Sequence, residues 1–142
     1  MNYLVDTNVL SEATKARPNP QVAAWLAARP AHTLFVSVVS IAEIKKGVLL
    51  LPAGKRRRNL ERWLDSDLLP AFAGRVISLG EREMNVWAEL QARAETAGRK
   101  IPAIESLLAA AAKCHGIAIA TRNVDDFQHC GVSTINPWTE SA

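Results

Sequence analysis

Met1-Asn2-Tyr3-Leu4-Val5-Asp6-Thr7-Asn8-Val9-Leu10 is the stretch whose reading governs the rest of the chain. Tyr3, Leu4 and Val5 form a short apolar run of the kind that suits a strand buried on both faces. An acid, Asp6, follows at once. Thr7 or Asn8 can then cap a helix that opens into Val9 and Leu10. An acid at the carboxyl end of a central parallel strand stands where open α/β sheets bind ligands. Asp6 also has a plainer reading, as the residue that begins a turn or caps a helix. What else arrives at the same sheet edge decides between the two.

Working outward, the chain alternates strands and helices. A short helix is expected over Asn8 to Lys15, ended by Arg17-Pro18-Asn19-Pro20. Pro20 can serve as an early residue of the next helix, whose stripe is Val22, Trp25 and Leu26. Thr33 to Val36 reads as a second strand. Ser37 then caps a helix with Val38, Ile41, Ile44 and Val48 on one face, ending near Leu51-Pro52. After Gly54 a helix opens with Lys55 to Arg58, carries Leu60, Trp63, Leu64 and Leu68 on its apolar side, and stops near Pro70.

Arg75 to Leu79 reads as the third strand. Glu81 to Ala97 is an amphipathic helix with Met84, Trp87, Leu90, Gln91 and Ala94 along one stripe, stopped by Gly98. Pro102 starts a helix that reaches about His115, with Gly116 as its stop. Ile117 to Ala120 and Val132 to Ile135 are the fourth and fifth strands, and Asn136-Pro137-Trp138 closes the fold. Short strands alternating with helices imply βα units, a mostly parallel sheet and helices on both faces. No linker separates any two elements, so the 142 residues read as a single domain, 1–142.

Composition narrows the class of protein. With 49% apolar and 22% charged residues, the chain has the make-up of a soluble globular domain. A net charge of +3 permits a nucleic-acid partner without demanding one. Cys114 and Cys130 lack zinc-site spacing and read as reduced thiols. Neither a signal peptide nor a membrane span is visible, so the expected location is the cytoplasm, with no membrane partner.

The acids converge. Asp6 ends strand one, and in a doubly wound sheet with that strand central, the end of strand four lies beside it. Asn123, Asp125 and Asp126 follow strand four. Glu43 lies about two turns into the helix after strand two, so it points back towards Asp6. Glu105 sits among Ala103, Ile104, Leu107, Leu108 and the run Ala109 to Ala112, on a helix apolar nearly all round that should be buried. A carboxylate there needs a partner or a metal. The plain alternative is an ion pair with Lys45, Lys46 or Lys100. Carboxylates without His or Cys are hard oxygen ligands that favour Mg²⁺, with Mn²⁺ as a substitute. Such a cation polarises phosphate and acidifies a bound water, and a carboxylate beside it can orient that water. This is the chemistry of phosphodiester hydrolysis.

On these residues the chain resembles PIN-domain ribonucleases, in particular the VapC-type toxins of type II toxin–antitoxin pairs and their FitB-like branch. The matching motifs are Leu4-Val5-Asp6-Thr7-Asn8-Val9-Leu10-Ser11-Glu12, Ser37 to Ile44 with Gly47, Ile101-Pro102-Ala103-Ile104-Glu105, Ala120-Thr121-Arg122-Asn123, and Asn136-Pro137-Trp138. The resemblance implies a three-layer fold with strand order 3-2-1-4-5 and Mg²⁺-dependent endonuclease action on RNA. It also implies a homodimer, inhibition by a small cognate antitoxin, and contact with operator DNA only through that antitoxin.

Carried over by position, Asp6, Glu43 and Glu105 are the catalytic, metal-holding acids. The family usually has Asp where this chain has Glu105. The fourth family acid falls on Asn123, which is neutral, and Asp126, ahead of Asp125, is the acid that could substitute. By the same resemblance Thr7 and Thr121 orient Asp6 or a metal-bound water; their other reading is helix capping. Asn8 reads as a cap. Arg122 adjoins the site as a candidate RNA phosphate contact. Lys55 to Arg58 is either a solvated helix face or a grip on the RNA backbone. The four tryptophans read as core or interface, the three histidines have no catalytic role, and Cys114 reads as a small core residue. Two alternatives to the toxin ribonuclease stay open. One is a PIN nuclease of RNA processing. The other is a weakened enzyme acting mainly as a dimeric partner in an antitoxin–DNA repressor complex, which Glu105 and Asn123 favour.

Overall fold

The structure, a computed structural model, describes residues 1–140. Residues 141–142, the end of the expected domain, lie outside the described residues. Five strands form one sheet: β1 (Tyr3–Val5), β2 (Leu34–Ser37), β3 (Val76–Ile77), β4 (Ala118–Ala120) and β5 (Thr134–Ile135). Every pairing is parallel and the spatial order is 3-2-1-4-5. Tyr3 stands opposite Leu34 on one side and Ala118 on the other, which places β1 at the centre.

Side-chain alternation explains the three layers. Tyr3 and Val5 point into one core with Ala118 and Ala120, while Leu4 and Ile119 point into the other. The first core is covered by α1 (Thr7–Glu12), α2 (Pro20–Ala27) and the region of α4 (Lys55–Arg62), through Val9, Val22, Trp25 and Leu64. The second is covered by α6 (Glu81–Thr96) and α7 (Ala103–His115), through Leu90 and Ala109 to Ala112. The α7 alanines are fully buried; without bulk beyond Cβ, they let that helix lie close on the sheet. Helix α3 (Val38–Leu50) serves both cores, with Ile44 in the first and Val39 in the second.

Most boundaries fall within a residue or two of the sequence reading, and the differences have local causes. Asn19, inside the Pro-rich break, caps α2, with Pro20 in its first turn. The helix expected from Lys55 to Pro70 is not regular. It passes through a wide π-helical turn, Trp63–Leu68, before a short α5 (Leu69–Ala71). Pro70 has no N–H for the carbonyl one turn before it, so the α-helical ladder is interrupted there. Helix α6 buries Glu83, Leu90 and Ala94, whereas Met84 is 38% exposed. Its inward stripe thus starts one residue earlier than expected, on an acid. No helix among the described residues is long and apolar enough to cross a membrane.

Candidate active site

Asp6 is held by the neighbouring strand before the chain turns: its backbone amide donates to the Ala120 carbonyl at 2.9 Å. It is also the N-cap of α1, since its Oδ1 accepts the Thr7 backbone amide at 2.7 Å. The cap therefore lies one residue before Thr7, which takes the first helical position. Capping uses only one oxygen. The other, Oδ2, accepts the Thr121 hydroxyl at 2.7 Å and the Asn8 side-chain amide at 3.3 Å. Thr121 follows β4, so this contact joins the ends of the two central strands.

Glu43 projects from α3 towards the same edge, where its Oε1 accepts the Thr7 hydroxyl at 2.7 Å. Thr7 thus binds Asp6 through its backbone and Glu43 through its side chain. Asn123 donates its backbone amide to the Thr121 hydroxyl at 3.0 Å, and Asp126 stands exposed in the helical turn Val124–Phe127. Burial pushes the Asp6 carboxyl above its ordinary pKa, hydrogen bonds from Thr121 and Thr7 oppose that rise, and the charges of Glu43 and Asp126 add to it. Asp126, rather than Asp125, is the acid whose charge reaches Asp6.

Glu105 differs from expectation. It lies in the first turn of α7, but is half-buried, because Ser106 and Leu108 to Ala112 carry the buried face. Among the described residues its carboxylate makes neither a hydrogen bond nor an ion pair. Its flanking residues Ile104 and Leu107 line a groove of about 550 Å³ together with Glu43, Val39 and Leu50, so α7 and α3 share one cleft. The ion pairs among the described residues are Lys15–Glu12, Arg57–Glu61 and His115–Glu83. Lys45, Lys46 and Lys100, which the plain reading of Glu43 and Glu105 required, pair with neither.

Two supporting contacts were not legible in the sequence. Asn8 is not a cap. Its amide nitrogen reaches Asp6 Oδ2 and Thr121 Oγ1, and its oxygen accepts the Arg122 backbone amide at 3.2 Å, so it stitches α1 to the end of β4. The usable signal was an amide side chain, donor and acceptor at once, just past a strand end. Trp138 lies under Arg122, with the guanidinium 5.0 Å from its ring centroid. Arg122 also helps to hold the buried Glu12 carboxyl below its ordinary pKa, behind the hydrogen bonds from Lys15 and the Asn19 amide.

The basic run has a definite place. Lys55 and Arg56 line a groove of about 420 Å³ with Thr14, Asn59 and Leu60. Thr14 and Leu60 also line a second groove of about 190 Å³ that reaches Thr7 and Glu43. Arg57 is turned aside, paired with Glu61 at 2.8 Å.

Comparison with known proteins gives matches over most of the chain. Residues 3–131 match the family model of the PIN domain. VapC ribonuclease Y4jK of Sinorhizobium fredii is 40% identical over 135 residues, 95% of this chain and 96% of that protein. Toxin FitB of Neisseria gonorrhoeae is 37% identical over 135 residues, 95% of this chain and 97% of that protein. A solved structure of FitAB bound to a DNA fragment superimposes with a TM-score of 0.92 at 35% identity, covering 99% of this chain and 98% of that one.

Proposed function

Since the chain belongs to the PIN-domain family, alongside VapC and FitB, we propose that it is a single-domain, divalent-metal-dependent endoribonuclease and the toxin of a toxin–antitoxin pair. The observation that carries this reading is the unmatched negative charge at the sheet edge. Asp6 is buried, Glu43 and Asp126 repel it, and no Lys or Arg among the described residues pairs with any of them. A donor set of carboxylate oxygens from Asp6, Glu43 and Glu105, with neither thiol nor imidazole, fits Mg²⁺, and Mn²⁺ as a substitute. When bound, such a cation polarises the phosphodiester and acidifies a water.

The chain's own residues do the rest. Thr121 and Thr7 fix the directions of the Asp6 and Glu43 carboxylates. Asp126 and Asn123, at the exposed rim, orient the attacking water, whose oxygen bonds to phosphorus and gives up a proton to solvent as the bond to the ribose oxygen breaks and that oxygen takes up a proton. Arg122 and the groove lined by Lys55 and Arg56 meet RNA phosphates by charge. The homodimer and cytoplasmic location belong to the same reading, as do an antitoxin that places a basic side chain among the acids and operator contact through it.

The test is cleavage of RNA by the purified chain with Mg²⁺ or Mn²⁺ and with chelator. Metal-dependent cleavage that Asp6→Ala abolishes is expected. Cleavage untouched by Asp6→Ala overturns the site, and a gene with no small reading frame beside it counts against the toxin role. A second reading is favoured by Glu105, Asn123 and the DNA-bound FitAB relative: a weakened enzyme kept for its repressor complex. It is supported if the native chain is inert and Glu105→Asp restores cleavage.

A further inference from the structure

We propose that Glu83, Cys114 and His115 form a second metal site that takes a borderline-soft transition-metal ion, Zn²⁺ in the first instance, and clamps α6 to α7. A carboxylate oxygen, the Cys114 sulfur and an imidazole nitrogen lie within 4.8 Å of one another. A tetrahedral zinc ion, with bonds of about 2.0–2.3 Å, separates its ligand atoms by roughly 3.3–3.8 Å. His115 Nε2 and Glu83 Oε1 already stand 3.3 Å apart. The sulfur, within 4.8 Å of both, has about an ångström to close.

Each ligand has a reason to be available. Glu83 is buried in the first turn of α6, on the stripe where an apolar residue was expected. Its Oε1 faces the His115 imidazole, and a carboxylate offers acceptor oxygens only, as a metal ligand must. Cys114 is half-buried, and His115 is open to solvent, which gives an ion a way in. Both belong to the last turn of α7, the end of a helix whose dipole favours a cation. Thiolate and imidazole select zinc over magnesium, so the site is chemically distinct from the carboxylates around Asp6. It is also distant from them: Cys114 lies nine residues after Glu105 on the same helix, about 14 Å along its axis. Three protein ligands leave a fourth position for water. Binding exchanges the thiol proton for the metal, and that proton goes to solvent. The spacing hides the site from a sequence reading, because Glu83 joins from another helix.

The test uses the full chain and Co²⁺ as a spectroscopic stand-in, with Zn²⁺ competition. One equivalent of Co²⁺ is expected to raise a thiolate-to-cobalt charge-transfer band that Zn²⁺ displaces. Cys114→Ser should abolish the band, and His115→Gln and Glu83→Gln should each weaken binding about tenfold or more. Zn²⁺ should raise the melting temperature of Asp6→Asn protein, whose carboxylate site is impaired, but not of the double variant Asp6→Asn, Cys114→Ser. Absence of the band in the unmodified chain overturns the proposal without recourse to any variant. So does a band that survives Cys114→Ser, or affinity unchanged in both His115→Gln and Glu83→Gln.

Discussion

At Asp6, burial and two neighbouring carboxylates disfavour the charged form, and the hydrogen bonds from Thr121 and Thr7 offset only part of that. The folded-state pKa is raised, so protonation favours the native state. The contribution of Asp6 to stability is therefore full below the ordinary carboxylate range and is lost as pH rises through the raised value. Asp6→Asn should accordingly melt higher than the parent at neutral pH, with the gap closing in acid. The same change should cost about 10²–10³-fold in cleavage rate, the scale set by losing a principal electrostatic group. Mg²⁺ should raise the melting temperature of the parent and not of this variant. Thr7 offers a second check, because its hydroxyl acts through Glu43. Thr7→Val should cost about 1 kcal/mol in urea unfolding and lower kcat more than it raises KM, and Thr7→Ser should restore both.

Among the elements, α7 couples the two ends of the molecule. Its alanine run seats it on the sheet, its first turn carries Glu105 beside Ile104 of the cleft, and its last turn carries Cys114 and His115. Gly116 ends it in the left-handed region, at φ 64°, where a side chain is strained although the space around it is open. Gly116→Ala should therefore cost about 1 kcal/mol by denaturant titration, with cleavage unchanged. The alternation of apolar and polar residues locates α7 and its caps well, because alanine, Pro102 and Gly116 each act locally. It fails for α6, where the inward stripe begins on Glu83 instead of Met84. Hydropathy cannot signal a buried acid whose side chain meets His115, a partner 32 residues away.

For the molecule as a whole, the groove between α3 and α7 has an unusual neighbour. Leu50 on its rim is 75% exposed and Leu49 beside it 53% exposed. The proposed homodimer would bury both, and would bring its partner up to the cleft that holds Glu43. Leu50→Lys should then shift the chain towards monomer in sedimentation equilibrium without lowering its melting temperature in dilute solution. A monomeric parent would dissociate the exposed leucines from any self-association.

Chain order was sufficient for the parallel sheet and for the identity of Asp6 as the acid at the carboxyl end of its first strand, while the order 3-2-1-4-5 was implied by the family resemblance. The first two follow from local periodicity, from breakers such as Pro18 and Gly116, and from general handedness. Contact between residues far apart in the chain was settled only on folding. Thr121 reaches Asp6 across 115 positions, Thr7 reaches Glu43 across 36, and Asn8 was a bridge where a cap was expected. Glu105 shows the limit from the other side. Its apolar neighbours predict full burial, but a residue at a helix's first turn can lie beyond the packed face, and its half-exposed position was decided by how α7 meets the sheet.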